Sequence, residues 1–140
     1  MIVIDSRGYK PPFWQINGHI QTIYPSLYRK VKDVNYQRQT ITTSDDDFLV
    51  LDWSFAKYPS TSVTVLSHGL EGDSHRPYIT GMVRELNKEG VDCVAWNFRT
   101  CGGVMNKQSR MYHSGVTDDL ACVIQHCIHK GYTTIYLIGY

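Results

Sequence analysis

The sequence predicts an α/β fold in which an antiparallel hairpin leads into parallel strands with helices on both faces. Three observations predict it. First, two alternating apolar and polar stretches flank an acidic turn in the first half of the chain. Second, three short β-branched runs follow in the rest of the chain. Third, two amphipathic helical patterns separate these runs. Strands joined through helices need right-handed crossovers, so we expect the later strands to be parallel and buried on both faces.

Residues 1–30 predict an irregular N-terminal arm, and residues 31–140 predict a partial α/β domain. Glycine and proline recur in the arm, and the aromatic side chains between them must pack on something. These residues are Gly8, Pro11, Pro12, Gly18 and Pro25, with Phe13, Trp14, Tyr24 and Tyr28. A hairpin follows, with strands at 37–43 and 48–54 around the turn residues 44–47.

The rest of the chain alternates strands and helices. Pro77 suits a first helical turn, and glycines at positions 90 and 131 suit helix ends. In chain order we predict a strand at 63–66, a helix from Pro77 to Gly90, a strand at 91–96, a helix from Thr117 to Gly131 and a strand from Thr133.

Composition excludes several classes of protein. Fourteen basic and thirteen acidic residues leave a formal charge of +1, so no basic excess exists to bind nucleic acid. The basic cluster at 28–32 is interpreted as a solvated face. The four cysteines lack C-x-x-C spacing, and residues 1–4 do not form a signal peptide, which predicts free thiols and a cytoplasmic location. No apolar run approaches the ~18 residues of a transmembrane segment.

The residues that could bind a ligand or take part in catalysis lie at three strand ends. In an open parallel sheet, ligands bind beyond the carboxyl ends of the strands. The first end carries His68 and Gly69, the second carries the glycine-containing loop 97–103, and the third carries Gly139 and Tyr140. Glycine lets backbone N–H groups approach a ligand, as an oxyanion hole requires. This spacing is typical of an acyl-transfer site.

Four stretches of the sequence resemble one family. They are P-P-F-W-Q-I-N-G-H-I-Q-T-I at 11–23, S-H-G-L-E-G-D-S at 67–74, N-F-R-T-C-G-G at 97–103 and Y-H-S-G at 112–115. In this order they resemble the α/β-hydrolase superfamily, and within it the YheT-like hydrolases related to abhydrolase-domain esterases and lipases. Two features depart from the family pattern. Thr100 stands where the family usually has glycine, and the sequence stops at Tyr140, where the family continues into Ser-x-Gly-Gly.

The resemblance implies serine-type hydrolysis of carboxylic esters, with a small-molecule or lipid ester as substrate and no organic cofactor or metal. The backbone N–H of Leu70 would be one oxyanion donor, and Tyr140 would directly precede the nucleophile of the elbow. His68, Gly69 and Gly139 would line the substrate site. Because the family's serine, acid and histidine would all follow Tyr140, we expect this chain to be an inactive fragment.

Two other ligand sites are possible at the first strand end. His68 with Glu71, Asp73 and His75 could hold a metal ion, but the spacing matches no metal signature. Gly69 and Gly72 could be turn residues of a nucleotide-binding fold, but the G-x-G-x-x-G and P-loop patterns are both missing.

Three further interpretations stay open. Cys101 could be a nucleophile, although the sequence assigns it no base, and a passive thiol is favoured. His19 and Gln21 could contact substrate or could simply stabilise the arm. The alternative function for the whole chain is a non-catalytic α/β binding or interaction module.

Overall fold

The computed structural model describes Gly8, residues 10–113 and residues 115–140. The residues 1–4 that bear on the signal peptide, and Ser114 of the fourth motif, lie outside the described residues. The chain forms two units, Met1–Lys30 and Val31–Tyr140.

The first unit contains a helix where the sequence predicted irregular structure. Helix α1 spans Gly18–Tyr28. Its N-cap is Asn17, whose side-chain oxygen accepts a hydrogen bond from the N–H of Ile20 at 3.0 Å. Pro25 lies inside the helix and lacks an N–H to donate, yet its carbonyl still accepts from Arg29 N–H at 3.2 Å. Capping and apolar spacing therefore outweigh the proline and glycine content that predicted an arm without helix.

The second unit confirms the predicted α/β fold. Its elements are β1 (Gln37–Thr42), β2 (Phe48–Ser54), β3 (Ser62–Ser67), α2 (Pro77–Lys88), β4 (Asp92–Asn97), α3 (Thr117–His129) and β5 (Thr134–Gly139). They form one sheet in the order β1-β2-β4-β3-β5. Strands β1 and β2 are an antiparallel hairpin, and β2 also runs antiparallel to β4. Strand β3 is parallel to both β4 and β5.

Helices cover both faces of this sheet, as predicted. Val63, Val65 and Trp96 point to one face, where they form a core with Val123 and Cys127 of α3. Leu66 and Ala95 point to the other face, where they form a second core that includes residues of α2. Strands β3 and β4 are therefore buried on both sides, because alternate side chains of each strand enter different cores.

Strand β5 differs from the expectation of a fully buried strand. Within the described chain it pairs with β3 alone, and Tyr136 and Leu137 are 52% and 55% exposed. No helix in the described ranges has the length and apolar character needed to cross a membrane.

Candidate active site

The three predicted strand ends meet at one edge of the sheet. In the parallel register, Ser67 at the end of β3 lies opposite Trp96 of β4 and opposite Gly139 of β5. The N–H of Tyr140 donates to the Ser67 carbonyl at 3.3 Å. A Cβ atom added to Gly69 would stand 3.6 Å from the carbonyl oxygen of Tyr140. The structure therefore places the His68–Leu70 segment beside the Gly139–Tyr140 segment.

His68 links two of these strand ends through its ring. Its side chain is 2% exposed, and its Nε2 accepts a hydrogen bond from the N–H of Phe98 at 3.1 Å. Its Nδ1 lies 2.8 Å from the carbonyl oxygen of Gly69, and a carbonyl can only accept. The two contacts together require the neutral ring with the proton on Nδ1. Burial lowers the pKa of His68 below its ordinary value, which favours that neutral form.

The peptide unit between Gly69 and Leu70 has a fixed orientation, which sets the direction of the Leu70 N–H. This N–H belongs to the same planar peptide unit as the carbonyl of Gly69, so the two groups point in opposite directions. That carbonyl accepts from Gly72 N–H at 2.9 Å and from His68 Nδ1–H, which fixes the orientation of the peptide. Among the residues that the structure describes, none accepts a hydrogen bond from Leu70 N–H. The leucine side chain is 88% exposed.

Tyr112, which the sequence analysis placed in the fourth motif without giving it a role, closes this turn. The N–H of Glu71 donates to the hydroxyl oxygen of Tyr112 at 2.9 Å, and Arg76 donates to the Glu71 carbonyl at 2.9 Å. Glu71 has a φ of 51°, a left-handed conformation that is costly for a residue other than glycine. The Tyr112 ring stacks on Phe98, with centroids 5.2 Å apart. Because Tyr112 is distant in sequence, no local pattern could have revealed this contact.

Space requires glycine at two positions near the site. A Cβ on Gly72 would lie 2.7 Å from the Tyr78 hydroxyl and 2.9 Å from the Gly69 carbonyl oxygen. A Cβ on Gly102 would lie 2.9 Å from Cβ of Val50. Any larger residue would therefore displace the turn after β3 or the loop after β4.

A pocket of about 280 Å³ lies under the turn, between the strand ends and the start of α3. His68, Leu70 and Tyr140 contribute to its wall. Most of its other lining is apolar or aromatic, and includes Trp96, Phe98, Tyr112, Val116 and Leu120. Pockets of this type bury apolar ligands and orient them with a few polar groups.

A buried ion-pair cluster holds the loop that carries Phe98. Arg99 is 2% exposed and donates to both carboxylate oxygens of Asp119, at 2.9 and 2.7 Å. It also contacts Asp45 and Asp47 at 2.8 and 3.0 Å. Burial would raise the pKa of Asp47, but hydrogen bonds from Asn106 and nearby backbone N–H groups outweigh it and keep that pKa below the ordinary value.

A second polar network places a serine and a histidine in contact, but not as a nucleophile and its base. Ser74 is 1% exposed and donates its hydroxyl proton to Asp52, at 2.5 Å. The Ser74 oxygen also lies 3.0 Å from Nδ1 of His75. With its own proton directed at Asp52, that oxygen accepts from His75. The ring therefore cannot deprotonate Ser74.

The remaining sequence candidates do not assemble a site. Burial raises the pKa of the Cys101 thiol, which opposes a reactive thiolate. The described residues contain no group of three or more His, Cys, Asp or Glu side chains that could hold a metal ion. In the first unit, the Gln21 amide donates to the Gln15 carbonyl at 3.0 Å, a contact that stabilises the segment before α1.

Comparison with known proteins gives a consistent family. The chain is 34% identical over 140 residues to "Putative esterase YheT" of Escherichia coli (strain K12), covering 98% of this chain and 39% of that protein. It is 29% identical over 136 residues to "Phospholipase ABHD3" of Homo sapiens, covering 92% of this chain and 33% of that protein. The chain thus spans about two fifths or less of the length of these relatives. No family model matches the sequence.

The fold also matches solved structures. The Pyrococcus furiosus esterase Pf2001 superposes with a TM-score of 0.66 at 20% identity, covering 77% of this chain and 41% of that structure. At this identity the match supports the fold alone. Together with the mixed five-stranded sheet, this match gives the chain an α/β-hydrolase fold, and in sequence the chain is similar to the YheT-like and abhydrolase-domain members of that superfamily.

Proposed function

We propose that this chain supplies the oxyanion-binding side of an ester-hydrolysing serine hydrolase. The proposal rests on the backbone N–H of Leu70. No described residue accepts a hydrogen bond from it, and its direction is fixed because it shares a peptide unit with the hydrogen-bonded carbonyl of Gly69. Relatives named as an esterase and as a phospholipase support ester hydrolysis as the chemistry.

The chemistry assigned to this turn is charge stabilisation. When a serine attacks the acyl carbon of an ester, negative charge develops on the carbonyl oxygen. A donor that already points at this oxygen stabilises the transition state without further rearrangement. Leu70 N–H meets that description because its peptide is held before substrate arrives. Tyr140, beside Gly69, takes the place of the residue that directly precedes the nucleophile in a G-x-S-x-G elbow.

Roles follow for the other predicted site residues. His68 is a positioning residue, since both ring nitrogens bind backbone groups and its side chain is buried. Gly69 keeps a side chain out of the space beside the Tyr140 carbonyl, whereas Gly139, where an added Cβ atom would meet nothing within 4 Å, ends β5 at this edge of the sheet. The apolar lining of the pocket under Leu70 suits the acyl or alcohol part of a small-molecule or lipid ester.

A chimeric protein tests the proposal. In it, this chain replaces the matching segment of the Escherichia coli relative, and the hydrolysis of p-nitrophenyl esters is measured. Leu70→Pro removes the N–H, and proline is favoured at the second position of the 69–72 turn. We expect kcat to fall about 10²–10³-fold, the usual cost of one lost oxyanion donor. Leu70→Ala keeps the N–H and serves as the control, so it should retain most of kcat. Equal activity of the two variants would refute the role of Leu70.

The alternative is a non-catalytic binding module, which the apolar pocket of about 280 Å³ favours. Ligand binding by the 140-residue chain alone and turnover by the grafted protein together distinguish the two functions. A module would bind a short-chain ester or acid saturably at the pocket and would need no other segment for its function. Turnover by the grafted protein that depends on Leu70 N–H would favour the hydrolase instead.

A further inference from the structure

Helix α1 carries an apolar stripe that its own unit does not cover. Its apolar residues recur with the i, i+3, i+4, i+7, i+8 spacing of one helical face. They are Ile20, Ile23, Tyr24, Leu27 and Tyr28. Ile23, Leu27 and Tyr28 are 54%, 68% and 64% exposed. The other face carries small and polar residues such as Thr22 and Ser26.

Aromatic rings extend this stripe towards the start of the helix. The rings of Trp14 and Tyr24 contact edge to face with centroids 4.5 Å apart, and Tyr24 contacts Tyr28 at 5.0 Å. Tryptophan and tyrosine favour the interface between lipid headgroups and acyl chains, because they combine an apolar body with a polar tip. The rings therefore form one continuous apolar and aromatic surface with the helix.

The charges around the helix all have one sign. Residues 8–30, which belong to the same unit as α1, contain three basic residues, Lys10, Arg29 and Lys30, and no acidic residue. The chain as a whole is almost neutral, at +1, so this segment is unusually basic. Among the described residues, none forms an ion pair with any of these three side chains. An anionic surface would complement them.

The dimensions exclude a spanning orientation for this helix. Eleven residues at 1.5 Å each extend about 17 Å, and a bilayer core is about 30 Å thick. An amphipathic helix that is flanked in sequence by cations lies instead in the plane of the interface.

We propose that α1 docks on the surface of anionic phospholipid membranes. Ile23, Leu27 and Tyr28 enter the boundary between headgroups and acyl chains, and Lys10, Arg29 and Lys30 bind the lipid phosphates. This goes beyond the proposed hydrolase function and does not depend on it, since membrane binding requires no nucleophile and no turnover.

Vesicle binding by the purified 140-residue chain tests the proposal. Co-flotation would be measured with phosphatidylcholine vesicles that contain or lack phosphatidylglycerol. Tryptophan emission gives a second readout, because Trp14 is 40% exposed whereas Trp53 and Trp96 are 2% and 1% exposed. We expect binding to the anionic vesicles, with a blue shift that Trp14→Phe abolishes. Absence of binding to anionic vesicles, or equal binding to both kinds, would overturn the proposal.

Paired variants separate the apolar face from general effects of charge. Ile23→Asp with Leu27→Asp places two carboxylates on the stripe, and Thr22→Asp with Ser26→Asp places the same two charges on the opposite face. We expect the first pair to abolish flotation and the second to weaken it much less. Arg29→Gln and Lys30→Gln should each weaken vesicle binding about fivefold. The difference from the unchanged chain should become smaller as the salt concentration rises. Equal losses in both aspartate pairs, with folding intact by circular dichroism, would contradict docking through the stripe.

Discussion

Individual residues at the site adopt conformations that are costly by themselves. Glu71 and Thr100 both have positive φ angles, 51° and 70°, and they follow the ends of β3 and β4. Strained backbone of this kind persists where surrounding contacts hold it, often at functional sites. Tyr112 and Arg76 hold Glu71, while Asn106 accepts the N–H of Thr100 at 2.7 Å. The orientation of the turn that carries Leu70 therefore depends on a few specific hydrogen bonds.

Thr100→Gly should stabilise the protein. A β-branched residue in the left-handed region costs roughly 1–2 kcal/mol, and the greater entropy of glycine in the unfolded chain offsets about 0.5–1 kcal/mol of the gain. We expect the free energy of unfolding in urea to rise by about 0.5–1 kcal/mol. Thr100→Ala keeps a Cβ atom and should gain less. A lower stability for the glycine variant would show that Thr100 is not strained.

At the scale of elements, Arg99 joins three parts of the fold. Asp45 and Asp47 belong to the turn between β1 and β2, Arg99 follows β4, and Asp119 lies in the first turn of α3. The same loop presents Phe98, whose N–H binds His68 and whose ring contacts Trp96. The ion-pair cluster thus connects the hairpin and α3 to the residues that shape the oxyanion turn.

Arg99→Met should be strongly destabilising. It would leave the buried carboxylates of Asp47 and Asp119 without their cation, and breaking a buried pair in this way typically costs about 3–5 kcal/mol. The measurement is the free energy of unfolding in urea at neutral pH. Arg110→Gln is the matched control, because Arg110 pairs with Asp118 on the surface. We expect little change there, since exposed pairs contribute little. Similar losses in both variants would contradict a special role for the buried cluster.

At the scale of the whole molecule, the sheet formed by the described residues ends in an apolar strand. Strand β5 lies at the end of the order β1-β2-β4-β3-β5, and its sequence T-I-Y-L-I-G contains no charged residue. An uncharged, unpaired edge strand is a template for pairing with another chain. The 140-residue chain is therefore expected to self-associate through β5.

Leu137→Lys should reduce this association. The side chain is 55% exposed, so a charge there is solvated in the monomer but is brought close to its copy when two edges pair. Sedimentation velocity over a range of concentrations would show a shift towards monomer. Val104→Lys is the matched control, since Val104 is 52% exposed in a loop. A concentration-independent monomer in the unchanged chain would show that the edge is protected.

The sequence alone predicted most of the secondary structure of the second unit. Proline at the start of α2 and glycine after α2 and α3 are strong local signals, and the alternation on either side of residues 44–47 predicted the hairpin. The same reasoning failed for α1, because glycine and proline in the arm concealed the Asn17 cap and the apolar stripe. It also predicted β5 as buried, whereas Tyr136 and Leu137 are exposed. Burial depends on neighbouring elements, which a local sequence pattern does not contain.

What the sequence determined by itself was the order of the elements and the presence of His68, Gly69 and Gly139 at strand ends, because both follow from local periodicity and from parallel connections. The tertiary structure alone decided which groups are free to act. Glu71 N–H is bound by Tyr112, 41 residues away, whereas Leu70 N–H has no acceptor in the described chain. Arg99 finds its carboxylates 20, 52 and 54 residues away. Hydrogen bonds and ion pairs depend on distance in space, and only the folded chain defines those distances.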